Sequence, residues 1–161
     1  MSADVRAAQE AHLEALIQLN QVVQSVHAAL YPGDFTQVLD PSAVGAYFAP
    51  RLAGPNTAVG LAEAEHRPVG CVSIEMEVRG ETAFMPRSRL YVHQIAVAPA
   101  ARRRRVATAL MRYVEHRGAS EGIDRIVLNT WTGNVDAQRF FASLGSTAFN
   151  VMLRKKLAGP G

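Results

Sequence analysis

The chain has a single cysteine, Cys71, so no internal disulfide can form and the fold must be held by packing alone. A lone thiol suits a reducing cytoplasm, and its place among strand-forming residues marks it as a packed side chain rather than a nucleophile. No segment has the roughly 20 consecutive apolar residues that a membrane-spanning helix needs. Met1–Gln9 contains Asp4 and no apolar run, so it does not read as a secretory signal. Charged residues make up only 19% and the formal net charge is +3, too little for the broad basic face that coats nucleic acid. Repeats, low-complexity runs and dividing linkers are missing as well. His12, His27, His66 and His116 fall at no ligand spacing, so no metal site is expected.

What remains is a soluble chain of 161 residues, 48% hydrophobic, expected to fold as a single domain over 1–161. A short strand is expected at Val5–Ala7. Leu16, Leu19, Val23, Val26 and Leu30 recur every three or four residues, the spacing of one helical face, until Tyr31-Pro32-Gly33 ends it. Asp40-Pro41-Ser42 starts a second helix, with Asp40 as N-cap and Pro41 in the first turn, running to Gly54-Pro55. Thr57–Ala64 and Val69–Val78 read as a hairpin joined by the polar turn Glu65-His66-Arg67-Pro68. In its second strand Val72, Ile74, Met76 and Val78 alternate with Cys71, Ser73, Glu75 and Glu77, the period of a strand buried on one face.

Gly80–Ser88 reads as a loop, Leu90–Val97 as a strand, and Arg104–Glu121 as a helix turning Val106, Leu110 and Val114 inward and closed by Gly122. Ile126–Leu128 opens another strand, Asn134–Leu144 is a helix closed by Gly145, and Phe149–Leu157 is a last strand. The alternation is that of a mixed α/β fold.

The segment richest in chemistry runs from the end of the Leu90–Val97 strand into Arg102, Arg103, Arg104 and Arg105 at a helix start. Unpaired amides and the positive end of the helix dipole collect there and favour an anion, a diphosphate above all. A merely solvated row of arginines is badly placed at that point, because each opposes the dipole by roughly 0.3–1 kcal/mol. Guanidinium groups also pair well with phosphate oxygens.

Two motifs in order make the reading specific. Arg102-x-x-Arg105-x-Ala107, preceded by Val97-Ala98-Pro99, resembles the Arg/Gln-x-x-Gly-x-Gly/Ala motif of the GNAT superfamily of acyl-CoA-dependent N-acetyltransferases. Asn134-x-x-Ala137-x-x-Phe140-Phe141-x-x-Leu144-Gly145 is similar to that family's following helix. The resemblance covers the C-terminal half well and the N-terminal half in element order. It implies a single-domain GNAT fold, with a mixed central sheet, splayed strands and flanking helices, and acetyl-CoA as acyl donor without a metal. It also implies that Ile95, Ala96 and Val97 receive the pantetheine arm, and that the amides of Arg103, Arg104, Arg105, Val106, Ala107 and Thr108 hold the diphosphate. Asn134, Ala137, Phe140 and Phe141 would then stand near the arm and the thioester.

Two departures from the family pattern matter. Arg105 stands where glycine is preferred, and a helical backbone there would accommodate it. Phe141 stands where many members have a tyrosine that protonates the departing thiolate; water, Tyr91, Tyr113 or no acid at all could take its place. For the base, His93 precedes the pantetheine strand and has the ordinary pKa range for accepting a proton near neutrality. Glu75 on the preceding strand is its rival, and each has the plainer alternative of a satisfied or solvated side chain. Trp131 is expected to be buried packing. His27, Tyr31 and Phe35 lie where the family covers its acceptor, with packing the plainer account.

The reading that follows is acetyl transfer from acetyl-CoA to a primary amine by direct attack in a ternary complex, with a small-molecule or peptide amine as acceptor. Glu75 and Glu77 lend some preference for a cationic one. A homodimer is compatible with the resemblance; a membrane or nucleic-acid partner is not expected. A non-catalytic CoA-binding regulator of the same fold is the alternative. A nucleic-acid module is disfavoured because one short basic run lacks interleaved aromatics.

Overall fold

The computed structural model describes residues 3–159, in two compact units, one ending at Asn129 and the other beginning at Thr130. The first contains β1 (Asp4–Ala7), α1 (Leu13–Leu30), α2 (Pro41–Ala53), β2 (Thr57–Ala64), β3 (Arg67–Glu77), β4 (Arg89–Val97), α3 (Val106–Ser120) and β5 (Ile126–Leu128); the second contains α4 (Val135–Ser143). The five strands form one mixed sheet in the order β1-β2-β3-β4-β5. Every neighbouring pair is antiparallel except β4 and β5, which run parallel.

Helices cover both faces of this sheet. Leu16 and Leu19 of α1 and Val44 and Phe48 of α2 are buried in one core cluster with Val59, Leu61, Cys71 and Ala96. On the other face α3 buries Val106, Leu110 and Val114. This double cover corrects the expectation of one buried face for β3: Gly70 through Ile74 are all buried. The strand also stops at Glu77, leaving Val78 71% exposed instead of inward.

Local signals account for most boundaries. Asp40 Oδ1 accepts from the Ser42 amide at 3.1 Å and Pro41 takes the first helical position, so α2 starts where its cap requires. The connection before it is tied to α1 by side-chain amides: Gln21 Nε2 donates to the Gln37 carbonyl at 2.9 Å and Gln24 Nε2 to the Thr36 carbonyl at 2.6 Å. The β2–β3 turn is tighter than expected. Glu65 and His66 alone form it, both with positive φ (51° and 60°), as a two-residue primed turn requires, and Arg67 and Pro68 already belong to β3. At the end of α3, Gly122 (φ 67°) lets its amide reach the Ala119 carbonyl and the Ile123 amide reach that of Gly118, a Schellman closure.

Gly70 marks a close approach. A Cβ there would lie 2.8 Å from the Ala96 carbonyl oxygen and 3.0 Å from Val106 Cγ1. Backbone cannot yield as a flexible side chain can, so Gly70→Ala is expected to cost about 1–3 kcal/mol in urea unfolding.

In the second unit, Asn134 Oδ1 accepts from the Ala137 amide at 3.2 Å and caps α4, and Gly145 (φ 89°) closes it. The expected strand at Phe149–Leu157 is not formed: among the described residues, 146–159 carry no strand, and Phe149, Val151, Met152, Leu153 and Leu157 are exposed. Apolar Val151-Met152-Leu153 followed by basic Arg154-Lys155-Lys156 breaks the period of two, and a strand without a ladder partner gains nothing from extending. Among the described residues, no helix is long and apolar enough to cross a membrane.

Candidate active site

The site begins where β4 loses a neighbour. Parallel pairing to β5 covers Leu90–Val92 against Ile126–Leu128 and then ends, so among the described residues β4 has no strand partner on that side from His93 to Val97. At the same point its register against β3 shifts: Ser73 pairs with Gln94 and Ile74 with Val92, leaving His93 as the extra residue of a β-bulge. A bulge bends its strand and re-aims a side chain. Ala96 is buried in the core, so a ligand along this edge would meet Ile95, Ala96 and Val97 chiefly through backbone.

Beyond the reach of α1 and α2, the same face of the sheet is a polar floor. Glu75 pairs with Tyr91 and Glu77 with Arg89 across β3 and β4. His93 Nε2 lies 2.7 Å from Glu75 Oε2, so the two residues considered as rival bases stand as one hydrogen-bonded pair. The Tyr91 ring packs on the imidazole at 4.8 Å between centroids, and its hydroxyl accepts from Asn129 Nδ2 at 2.5 Å. Asn129 was not anticipated, although a polar residue directly after a strand end was the available signal.

The floor is less acidic than expected. Glu77 receives both Arg89 Nε and, at 3.0 Å, Arg79 Nη2. Arg89 first, with Arg79 assisting against the opposing effect of burial, holds the Glu77 carboxyl below the usual carboxylate range. Of the two carboxylates, Glu77 is paired with cations and Glu75 with the His93 ring.

The arginine-rich connection differs from expectation in a useful way. α3 begins at Val106 rather than Arg104, and Arg105 is its N-cap in the left-handed region (φ 61°, ψ 16°), not at helical angles. Arg103 also has φ 61°. The position that the family gives to glycine thus keeps the backbone shape for which glycine is preferred, at a cost of about 1–2 kcal/mol for a residue with a Cβ. No side chain caps α3 and its first turn has no acidic residue, whereas α2 and α4 are capped by Asp40 and Asn134. The first intrahelical bond here runs from Ala109 to Arg105 at 3.0 Å, so the preceding amides of Val106, Ala107 and Thr108 fall in the turn that the helix itself cannot satisfy. Arg102, Arg103, Arg104 and Arg105 are all exposed around them. Those donors fit a diphosphate.

Beside this loop an open groove of about 360 Å³ lies between α1 and Pro99–Arg102, lined by Gln18, Gln21, Val22 and Ser25 among others. Gln18, Val22, Ser25 and Ala29 recur at helical spacing beside the apolar face of α1, which dominates the pattern of this helix. Cys71 is buried at the centre of the sheet and its thiol is pushed up to about 12 by that burial, so it is no nucleophile. His27, Phe35 and Tyr31 cluster as rings at the end of α1, 5.0 and 6.5 Å apart. In the second unit, Phe141 is buried and edge-on to Phe140. Trp131 is 44% exposed, contrary to the expectation of buried packing; its carbonyl accepts from the Asn134 amide and from Gln138 Nε2. Among the described residues, no group of three or more His, Cys, Asp or Glu could hold a metal.

The model of the acetyltransferase (GNAT) family matches residues 22–145, most of the chain. The chain belongs to the GNAT acetyltransferase family. It is therefore an acyl-CoA-dependent acetyltransferase with acetyl-CoA as donor. A search of curated proteins found no sequence match. Solved structures share the fold of this acetyltransferase. A tetramutant of the BH1408 protein from Bacillus halodurans is 19% identical with a TM-score of 0.87, over 96% of this chain and 99% of the other. A transcriptional regulator from Bacillus halodurans is 19% identical with a TM-score of 0.77, over 97% and 100%. The aminoglycoside N-acetyltransferase AAC(6')-Iy in complex with CoA is 22% identical with a TM-score of 0.73, over 97% and 96%. The same enzyme has also been solved with a bisubstrate analogue, CoA-S-monomethyl-acetylneamine.

Proposed function

We propose that this acetyltransferase moves the acetyl group of acetyl-CoA onto a primary amine of a small molecule by direct attack in a ternary complex. The observation that carries the reading is the 2.7 Å contact between His93 and Glu75 on the bulge where β4 leaves β5. With Nε2 donating to the Glu75 carboxylate, the other ring nitrogen is left as an acceptor. His93 then takes the proton from the amine, directly or through a water, and Glu75 fixes the tautomer and stabilises the imidazolium that forms. The bisubstrate complex of AAC(6')-Iy, whose fold is similar, favours direct attack over an acetylated enzyme, and buried Cys71 offers no alternative nucleophile.

Donor binding falls to the chain's own groups. Acetyl-CoA supplies an acetyl thioester when bound. The exposed β4 edge at Ile95–Val97 receives the arm. Arg102 through Thr108 hold the diphosphate. Since Glu77 is already neutralised, the floor selects for an uncharged or singly charged acceptor more than for a polycation.

The test is thiol release from acetyl-CoA against a panel of monoamines, amino acids, polyamines, aminoglycosides and peptide N-termini. Turnover is expected with at least one small amine. Tight acetyl-CoA binding with no transfer to any of them would support the regulator instead.

A further inference from the structure

A proton delivered to sulfur eases the breaking of the thioester, and Phe141 has none to give. We propose that Tyr91 protonates the departing CoA thiolate; this assignment rests on the amine-acetyl-transfer reading above.

The chain has four tyrosines, and the structure separates them. Tyr113 lies on the α3 side of the sheet with its ring against Gly60, half-buried, its hydroxyl pushed up by that burial. Tyr47 lies beneath the Arg51 guanidinium at 3.7 Å, on α2. Tyr31 packs with Phe35 at the end of α1. Tyr91 alone stands on the polar floor, paired with Glu75 on one side and Val127 on the other, one residue before the β4–β5 ladder ends. Cys71, the chain's only thiol, is sealed in the core.

Three contacts hold Tyr91 there: the Asn129 amide at its oxygen, the His93 ring at 4.8 Å, and the Arg89 guanidinium 6.0 Å from its ring centroid. The first decides the chemistry. Because Asn129 Nδ2 donates, the phenol oxygen accepts and its own proton remains to be given elsewhere. A donor arm lying along Ile95–Val97 brings its thioester end to the closing point of the β4–β5 gap, beside this hydroxyl.

The step balances as follows. The amine nitrogen forms a bond to the acetyl carbon and loses a proton to His93; Tyr91 gives its proton to sulfur as the C–S bond breaks. The products are the amide and CoA thiol, and solvent returns the proton that His93 gained to the phenolate.

The experiment is steady-state kinetics of Tyr91→Phe with acetyl-CoA and with its selenoester analogue, whose selenolate leaves without needing a proton. Wild-type turnover of both donors establishes the underlying reaction; its absence with every amine overturns that reading and this one together. With acetyl-CoA, Tyr91→Phe is expected to lose about 10²-fold in kcat, the lower end for a positioned acid, while the KM for the donor stays within about threefold. With the selenoester most of that loss should vanish. An unchanged kcat, or an equal loss with both donors, overturns the assignment of Tyr91 and leaves acetyl transfer itself standing. Asn129→Ala is expected to show the same donor dependence with a smaller loss, because it removes only the group that orients the hydroxyl.

Discussion

His93→Ala is expected to lower kcat by about 10²–10⁴, the range for removing a positioned general base. Glu75→Gln should give a smaller loss with the same sign. It keeps a hydrogen-bonding partner for Nε2 but removes the negative charge that stabilises the imidazolium. The two residues act as one unit, so the double variant should be little worse than His93→Ala alone. Rates of the three variants with the best amine of the panel check this. A His93→Ala enzyme with the wild-type rate would remove the base from the mechanism, and the bulge would then be a feature of the sheet alone.

The second large effect concerns the arginine loop. Hydrogen bonds to charged groups contribute about 1.5–3 kcal/mol each, so Arg102→Ala with Arg105→Ala should weaken acetyl-CoA binding about 10²-fold, with a steeper loss at low salt than at high. Isothermal titration at two ionic strengths measures both. Arg105 also has a backbone role, which a third variant isolates. At φ 61° a Cβ is strained, so Arg105→Gly should unfold at higher denaturant than Arg105→Ala, by about 1 kcal/mol. It should also bind the donor better than Arg105→Ala, because glycine holds the same amide geometry without strain. Equal affinity of wild type and the double alanine variant would mean that the diphosphate is held elsewhere.

These expectations follow from an uncapped helix. Asp40 and Asn134 show that the chain caps α2 and α4 with its own side chains, while α3 has no side-chain cap and four exposed arginines where a dipole disfavours them. An anion at that terminus satisfies the amides and the guanidinium groups together.

The sequence by itself determined the elements whose causes are local. Helical spacing marked α1, Asp40-Pro41 the start of α2, Gly122 and Gly145 the ends of α3 and α4, and two motifs in order the family. Each depends on residues within a turn or two of one another. Only the tertiary structure decided what depends on distant partners. Glu75 and His93, 18 positions apart, became a pair because β3 and β4 align them and a register shift leaves His93 as the bulge. Arg79 and Arg89 neutralised Glu77, which sequence patterning had left as a free charge. Helices on both faces buried β3 where alternation had implied one wet side, and Phe149–Leu157 remained without a strand. Side-chain period describes what a segment can offer to a surface; which surface, if any, receives it is set by the rest of the chain.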